Sequence, residues 1–403
     1  MIKIVHILYQ SVPDVSGSST RSKSIVDAQL GSGEMIPVIV TSPLQAGQGS
    51  DSIDVIDGIK YYRTYAGNAD FAINRKKSLL VKAKKALSFV GFYRTVCRVI
   101  EEERPQVVHA HAIFACGLVG LLAARRYGLP FVYEMRSDWH LDENFDSGTF
   151  FQKLFGGIER FLARRADALA VISQGLMEKY GPLNPRPILV PNGVHQNMVR
   201  PLEPVGALTA TAGGGSNPTF GFIGSLIPLE GLAFVVDALA RLRTERGIDA
   251  RMIIAGRGEE QAKLEVLARE RGVTDLIEFT GAVPFAQVSG IYDRLDVIIN
   301  FRRDEPIAHS VTPLKPLEAM AQRKLVVVSS VRGMQELVTG GRTGLVVPAE
   351  DVNALMDTIE LVHRDFSRFQ PVIDAGYAHV TQTRTWPSLV GKYTQLYRQL
   401  CSH

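Results

Sequence analysis

Two doubly wound α/β units joined by a linker are predicted by three observations: alternating strand-like and helical runs, the chain's length, and a Pro- and Gly-rich break near its middle. Short β-rich runs that alternate with helical patterns belong to parallel sheets with crossover helices. At 403 residues the chain exceeds one ordinary core and fits two. The break, PLEPVGALTATAGGGSNP, lies between Val199 and Thr219 and reads as a linker.

In the first half, IKIVHIL, MIPVIVTS, VVHAHA, LPFVYEM, ALAVIS and PILVPN are the strands, and IDGIKYYRTY is a further strand or hairpin arm. Helices fit between them over Thr20 to Gly31, Lys82 to Arg104, Gly117 to Tyr127 and Phe151 to Arg165. In the second half the strands are TFGFIGS, RMIIAGRG, LIEFTGAV, DVIINF, KLVVVSS and TGLVVPAE. Their helices are VVDALARLRTERG, EQAKLEVLARERG, FAQVSGIYDRL and LEAMAQR, and the chain is helical again from Val352. Ligands of such sheets bind outside the carboxyl ends of strands, so two units facing each other give one interdomain cleft.

Composition narrows the class. Hydrophobic content of 46%, charged content of 21% and a net charge of +4 are those of a globular soluble protein and call for no nucleic-acid partner. Cys97, Cys116 and Cys401 are odd in number and widely spaced, which speaks against a disulfide framework or metal site and for a reducing cytoplasm. The start, MIKIVHILY, reads as a strand and not as a signal peptide, and no apolar run approaches membrane-spanning length.

Polar residues collect at predicted strand ends. Ser310 to Ser330, SVTPLKPLEAMAQRKLVVVSS, combines a proline-paced loop, Lys315, a helix beginning near Pro316 and a buried strand. Free N–H groups at that helix start attract a diphosphate, Lys315 adds a point charge, and Glu318 accepts hydrogen bonds from vicinal hydroxyls; a capping glutamate is the plainer alternative. Gly17 and Arg21 in SVPDVSGSSTRS suit backbone approach and anion contact, or an ordinary loop with Thr20 as N-cap. His109 and His111 point to one side of their strand. Glu134, Arg136, Asp138 and His140 crowd the next strand end, either for ligand contact or as a surface ion pair. Gly256 and Gly258 form a weak G-x-G turn without the third glycine of the dinucleotide fingerprint.

PLKPLEAMA, then SSVRGMQELV, then GRTGLVVPAED, resembles the donor site of the retaining glycosyltransferases of family 4, which have the two-domain GT-B architecture. VTPLKPLEAMA and GSLIPLEGL are similar to the branch associated with exosortase and exopolysaccharide gene systems. The resemblance covers nearly the whole chain. It implies an acceptor-side Rossmann-like domain over 1–198, a linker over 199–219, a nucleotide-sugar-binding domain over 220–376, and a helical segment over 377–403 that crosses back. It implies a hexose moved from a nucleoside-diphosphate sugar to a glycan or lipid-linked acceptor, with retention, no protein nucleophile and no metal cofactor, in keeping with the lack of a D-x-D at a strand end.

By the same resemblance, His111 orients the donor sugar, and Arg136 and Glu134 contact acceptor or sugar. Gly224, Ser225, Gly256, Arg302, Lys315, Glu318 and the loop Ser310, Val311, Thr312, Pro313, Leu314 hold the donor, while backbone near Ala282 and Val283 reads the nucleobase. Three positions depart from the family pattern. Ser225 stands for an arginine, Glu230 for a lysine and Ser310 for the first glutamate of a pair. A carboxylate at position 230 repels phosphate if it points inward, so Arg302, Arg303 and Lys315 are expected to supply the positive charge, with Glu230 on a sugar hydroxyl or capping a helix.

Residues 75–98 carry Arg75, Lys76, Lys77, Lys82, Lys84, Lys85, Arg94 and Arg98 without an acid, beside Phe89, Phe92 and Tyr93. The segment suits an anionic membrane surface at the inner face, or equally a solvated helix that packs its aromatics on the sheet. A GT-B-fold epimerase and a non-catalytic sugar- or phosphate-binding homologue are the competing functions.

Overall fold

The computed structural model describes every residue except 14–15, 44, 46–51, 65–78, 139–147, 202–216, 285–286 and 403, with side chains of 79–87 and 148–151 also left undescribed. His140, most of the linker, and the basic segment as far as Lys85 fall outside that description. By its internal contacts the chain divides into two units, Met1–Asn192 with Trp386–His403, and Gly193–Thr385.

Aliphatic and β-branched runs buried on both faces make the first sheet. Its elements are β1 (Ile2–Leu8), α1 (Gly17–Gly31), β2 (Met35–Thr41), β3 (Ile53–Ile56), β4 (Ile59–Arg63), α2 (Leu79–Glu103), β5 (Val107–His111), α3 (Phe114–Tyr127), β6 (Phe131–Met135), α4 (Gly148–Arg165), β7 (Ala168–Val171), α5 (Gln174–Tyr180) and β8 (Pro187–Leu189). Strand order is β3-β4-β2-β1-β5-β6-β7-β8, parallel except for the β3–β4 hairpin. That hairpin turns at Asp57 and Gly58, both at positive φ, as a two-residue Asp-Gly turn requires. Helix α1 starts earlier than Thr20 because Ser16 is the N-cap and forms a capping box with Ser19. Phe92 of α2 is fully buried, so it serves packing and not a membrane.

The second unit holds β9 (Phe220–Ile223), α6 (Leu232–Arg246), β10 (Met252–Ala255), α7 (Gln261–Glu270), β11 (Ile277–Gly281), α8 (Val288–Asp293), β12 (Val297–Asn300), α9 (Pro306–Ser310), α10 (Lys315–Ala321), β13 (Leu325–Ser329), α11 (Arg332–Gln335), β14 (Leu345–Val347), α12 (Val352–Arg364) and α13 (Gln370–Thr383). Its sheet is wholly parallel, in the order β11-β10-β9-β12-β13-β14. Residues before the linker belong here: Arg200 N–H donates to the Ala321 carbonyl at 3.0 Å, and Gln322 donates to the Met198 carbonyl at 2.7 Å. Helix α13 packs on α10, with Gly376 against Met320.

The last helix, α14 (Trp386–Cys401), joins the first unit. Trp386, Leu389, Tyr393, Leu396, Tyr397 and Leu400 form its buried stripe, at the i, i+3, i+4 spacing of an amphipathic helix. They pack with Ile4, Val107, Val132 and Ala170 of the sheet.

At the carboxyl ends of the second sheet, loops approach each other more closely than side chains allow. Gly256 holds φ +140, and a Cβ there would overlap the Gly224 carbonyl oxygen; Gly231 holds φ +63, and a Cβ there would overlap the Phe301 carbonyl oxygen. Gly17 has nothing within 4 Å of where a Cβ would stand. Urea unfolding should therefore show Gly256→Ala losing more than the roughly 1–3 kcal/mol of backbone strain alone. Gly17→Ala should stay within about 0.5 kcal/mol of wild type. Equal effects of the two substitutions would contradict this packing.

Candidate functional site

Each sheet has a topological switch point, where the chain starts in the middle, builds one way and returns to build the other. In the first sheet it lies between β1 and β5, and in the second between β9 and β12. Polar side chains gather at both.

In the first unit, strand register puts His6 of β1 beside His109 of β5, and His111 beside Glu134 of β6. His6, His109, His111 and Glu134 therefore face one side of the sheet, toward α1 and α14. Glu134 is fully buried. Its Oε1 accepts from Arg136 Nε at 2.7 Å and Arg21 Nε at 3.1 Å, and its Oε2 accepts from the Tyr393 hydroxyl. Burial pushes its carboxyl up, but Arg21 and Arg136 outweigh burial and hold it well below the usual carboxylate range.

Hydrogen bonds fix the protons of the histidines. His6 Nε2–H donates to Gln29 Oε1 at 2.8 Å, so His6 Nδ1 accepts from His111 Nε2–H at 2.7 Å, and His111 Nδ1 accepts from Arg136 at 2.6 Å. His109 Nδ1 meets the Tyr397 hydroxyl at 2.6 Å. All three rings are neutral, because burial, the largest cause for each, lowers their basicity; His111 falls to about 4. His6, His109 and His111 are also the one metal-ligand grouping among the described residues. Hydrogen bonds already use ring nitrogens of His6 and His111, and the neighbouring Arg136 disfavours a cation.

Several sequence-level assignments change here. Arg21 finds its anion inside the chain, in Glu134, with further bonds to Asn192 Oδ1 at 2.9 Å and the Val190 carbonyl at 2.9 Å. Glu134 and Arg136 are sealed beneath helices and are not free for acceptor or sugar. His111 is 2% exposed with both ring nitrogens bonded, so it positions its surroundings. Immediately after it, Ala112 and Ile113 hold positive φ of 25° and 47°, a strained turn for residues with a Cβ. Asp138 is buried and accepts from the Tyr180 hydroxyl at 2.7 Å. Gly17, the first residue of α1, is exposed.

In the second unit, Gly224 and Ser225 follow β9, and Arg302 follows β12, so both flank the switch point. Lys315 at the start of α10 lies across Gly224, where a Cβ would overlap the lysine's Cε, and its ammonium sits 4.5 Å from the Phe222 ring centroid. The room that Gly224 leaves is thus taken by Lys315. Glu230, on a short 3-10 turn (Pro228–Glu230), binds both cations through Oε1: Lys315 Nζ at 2.7 Å and Arg302 Nη2 at 3.1 Å. It therefore neither caps a helix nor offers a free oxygen at Oε1 to a sugar, and the expected compensating cations carry an internal counter-ion. Burial pushes Glu230 up, yet Arg302 and Lys315 together bring it to about 2. Lys315 is drawn below the usual lysine value by burial, which Glu230 opposes.

Glu318, one turn further along α10, stays partly exposed, and burial raises its carboxyl above the usual range while Lys315 opposes that. Ser225 is exposed. Ser310 donates to the Ile307 carbonyl at 3.3 Å; Thr312 and Pro313 are buried, and Val311 and Leu314 are half-buried. Gly256 serves loop packing against Gly224. Ala282 is exposed and Val283 half-buried at the end of β11, the edge strand, two strands from the switch point. Arg303 turns to Glu305 at 3.1 Å.

Sequence reading missed His6, Gln29, Tyr393 and Tyr397. His6 was accessible, since it shares the strand phase of His109, whereas the tyrosines reach the histidines only through the fold. Asn300 at the end of β12 was missed too: it is fully buried, and neither side-chain polar atom has a partner.

Comparisons with known proteins agree with this architecture. Residues 18–193 match the glycosyl transferase 4-like domain, and residues 217–365 match the glycosyl transferases group 1. The chain is 25% identical to an alpha-D-kanosaminyltransferase of Streptomyces kanamyceticus over 67% of this chain and 73% of that protein. It is 26% identical to an alpha-maltose-1-phosphate synthase of Mycolicibacterium smegmatis over 74% and 80%. Among solved structures, a sucrose-phosphate synthase from Thermosynechococcus elongatus matches with a TM-score of 0.79 at 18% identity over the whole of both chains. Anabaena HepE in complex with UDP-glucose matches with a TM-score of 0.70 at 17% identity, covering 99% of this chain and 100% of that one.

The neutral histidines give a pH dependence. Unfolded, they take up protons below about pH 6.5. Folded, they resist until a lower pH, about 4 for His111, so the unfolded state binds more protons between these values and stability falls with pH. Urea titrations should show a loss of about 1.4 kcal/mol per pH unit for each such histidine below that point. His109→Gln should flatten the slope. A stability that stays level from pH 7 to 4.5 would contradict the neutral cluster.

Proposed function

We propose that this chain, a GT-B-fold glycosyltransferase related to the glycosyl transferase 4-like family, moves a hexose from a nucleoside-diphosphate sugar to a glycan or lipid-linked acceptor with retention of anomeric configuration. One observation carries the reading: Lys315 and Arg302 meet on Glu230 at the switch point of the second sheet, with Glu318 one turn along α10 from Lys315. Lys315 faces the donor diphosphate and steadies charge as it leaves. Glu318 accepts from vicinal hydroxyls, and its raised basicity suits that task. Ser225 and the loop 310–314 complete the donor surface, with backbone near Ala282 and Val283 toward the base. The UDP-glucose of HepE and the GDP-mannose in the name of a Mycobacterium tuberculosis mannosyltransferase, 30% identical over 46% of this chain, support a nucleoside-diphosphate donor.

In the first unit the hydrogen-bonded network around Glu134 and His111 holds the Ala112–Ile113 turn, so His111 acts as a positioning residue for the end of β5. VTPLKPLEAMA and GSLIPLEGL support an acceptor in exopolysaccharide assembly. Contact with an anionic membrane is expected of residues 75–98, whose basic side chains up to Lys85 lie outside the described residues. Helix α4 is a second candidate surface, where Lys153, Leu154, Arg160, Phe161 and Arg164 are exposed while its one acid, Glu159, is buried. Among the described residues no helix is long and apolar enough to cross a membrane.

Thermal shift with UDP or GDP tests the donor site. Ligand at a hundredfold excess over its Kd adds about 2.7 kcal/mol of stability. Lys315→Ala and Glu318→Ala should each abolish most of the shift, and anomeric NMR of the product should show retention. A full shift in both variants would move the donor elsewhere. In flotation assays, anionic vesicles should carry the protein up at low salt and release it at high salt. Absence from the vesicle fraction at every salt concentration would remove the membrane proposal.

A further inference from the structure

The Glu230 carboxylate is pinned by backbone. Gly231 behind it is left-handed, and Arg303 N–H donates to the Leu229 carbonyl at 3.0 Å, fastening the turn to the end of β12. One carboxylate, Glu230, and two cations, Arg302 and Lys315, leave the group with a formal net charge of +1. Their side chains are 2%, 9% and 18% exposed respectively, so solvent reaches the group mainly through Lys315. Two buried atoms of the group have no partner, Glu230 Oε2 and Arg302 Nε. One is an acceptor and the other a donor, on side chains already joined through Oε1 and Nη2 at 3.1 Å. An Nε–Oε2 bond beside that contact would make the two-pronged guanidinium–carboxylate pair.

We propose that Lys315 is shared between Glu230 and the donor's diphosphate, and that Glu230 thereby sets the affinity for donor and product. In the exchange, the lysine leaves Oε1 for a phosphate oxygen and Arg302 closes on Glu230 through the two unpartnered atoms. Gly224, lacking a Cβ, leaves the lysine its path. Arg302 is then the permanent partner of Glu230, and Lys315 is the cation that answers phosphate. No covalent bond changes, and the group keeps its net charge of +1 in both states. The consequence is a site that holds nucleoside diphosphate more loosely than two uncompensated cations would, which favours release of the product.

The inference rests on the diphosphate reading above, and calorimetric titration with UDP and with GDP separates the two. Lys315→Ala should weaken binding; if it leaves binding unchanged, the diphosphate reading and this inference both fall. Glu230→Gln should tighten binding about three- to tenfold, as expected for removing one nearby negative charge. In the Glu230→Gln/Lys315→Ala double variant that gain should vanish, which a purely structural role for Glu230 does not produce. If Glu230→Gln does not fold, Glu230→Asp, which draws the carboxylate back from Lys315, should tighten binding to a smaller degree. Lysine-dependent binding in the wild type with equal or weaker binding in the Glu230 variant would overturn the inference while leaving the diphosphate reading in place.

Discussion

A carboxylate taken out of water needs cationic partners, and each unit of this protein buries one at its switch point or one strand beside it. Glu134 is held by Arg21 and Arg136 and Glu230 by Arg302 and Lys315. The desolvation cost of such a group is several kcal/mol, so its partners determine which loops and helices must come together. Glu134 ties α1, β6 and α14 into one layer. Glu230 ties the loops after β9 and β12 to the start of α10.

The two groups differ in how fully the carboxylate is engaged. Both oxygens of Glu134 are engaged, and His111 and His6 are neutral and bonded in one consistent direction from Arg136 to Gln29, while His109 Nε2 has no partner. That arrangement stiffens the end of β5, where Ala112 and Ile113 keep a backbone conformation that a loose scaffold would relax. Glu230 has one oxygen doubly used and the other without a partner. Its lysine partner is also the part that solvent reaches. Rigidity thus belongs to the first group and exchangeable contact to the second, as expected if the second meets a charged ligand that comes and goes.

Much of the fold was legible in local pattern. Aliphatic runs such as VVV in KLVVVSS and VIIN in DVIINF can only be buried strands in a chain of alternating elements, and they form the centre of the second sheet. The helical patterns were equally clear, with starts displaced by a few residues where a serine cap or a positive-φ turn decided the boundary. The partners of the polar residues were not legible. Arg21 meets Glu134 across 113 positions and His109 meets Tyr397 across 288, distances over which spacing carries no information. Local reading assigned Glu134 and Arg136 to ligands because of charge at a strand end, and Arg21 because a base at a helix start suits an anion; it had no means of seeing that they neutralise one another. The placement of Lys315 and Glu318 one turn apart on a single helix was legible because that spacing is local.

The most direct test is an experimental structure with a nucleoside diphosphate bound. The account predicts Lys315 Nζ within about 2.7–3.2 Å of a phosphate oxygen, displaced from Glu230, with Arg302 remaining on Glu230. A diphosphate held away from the β9–β12 switch point, with Lys315 still on Glu230, would contradict it.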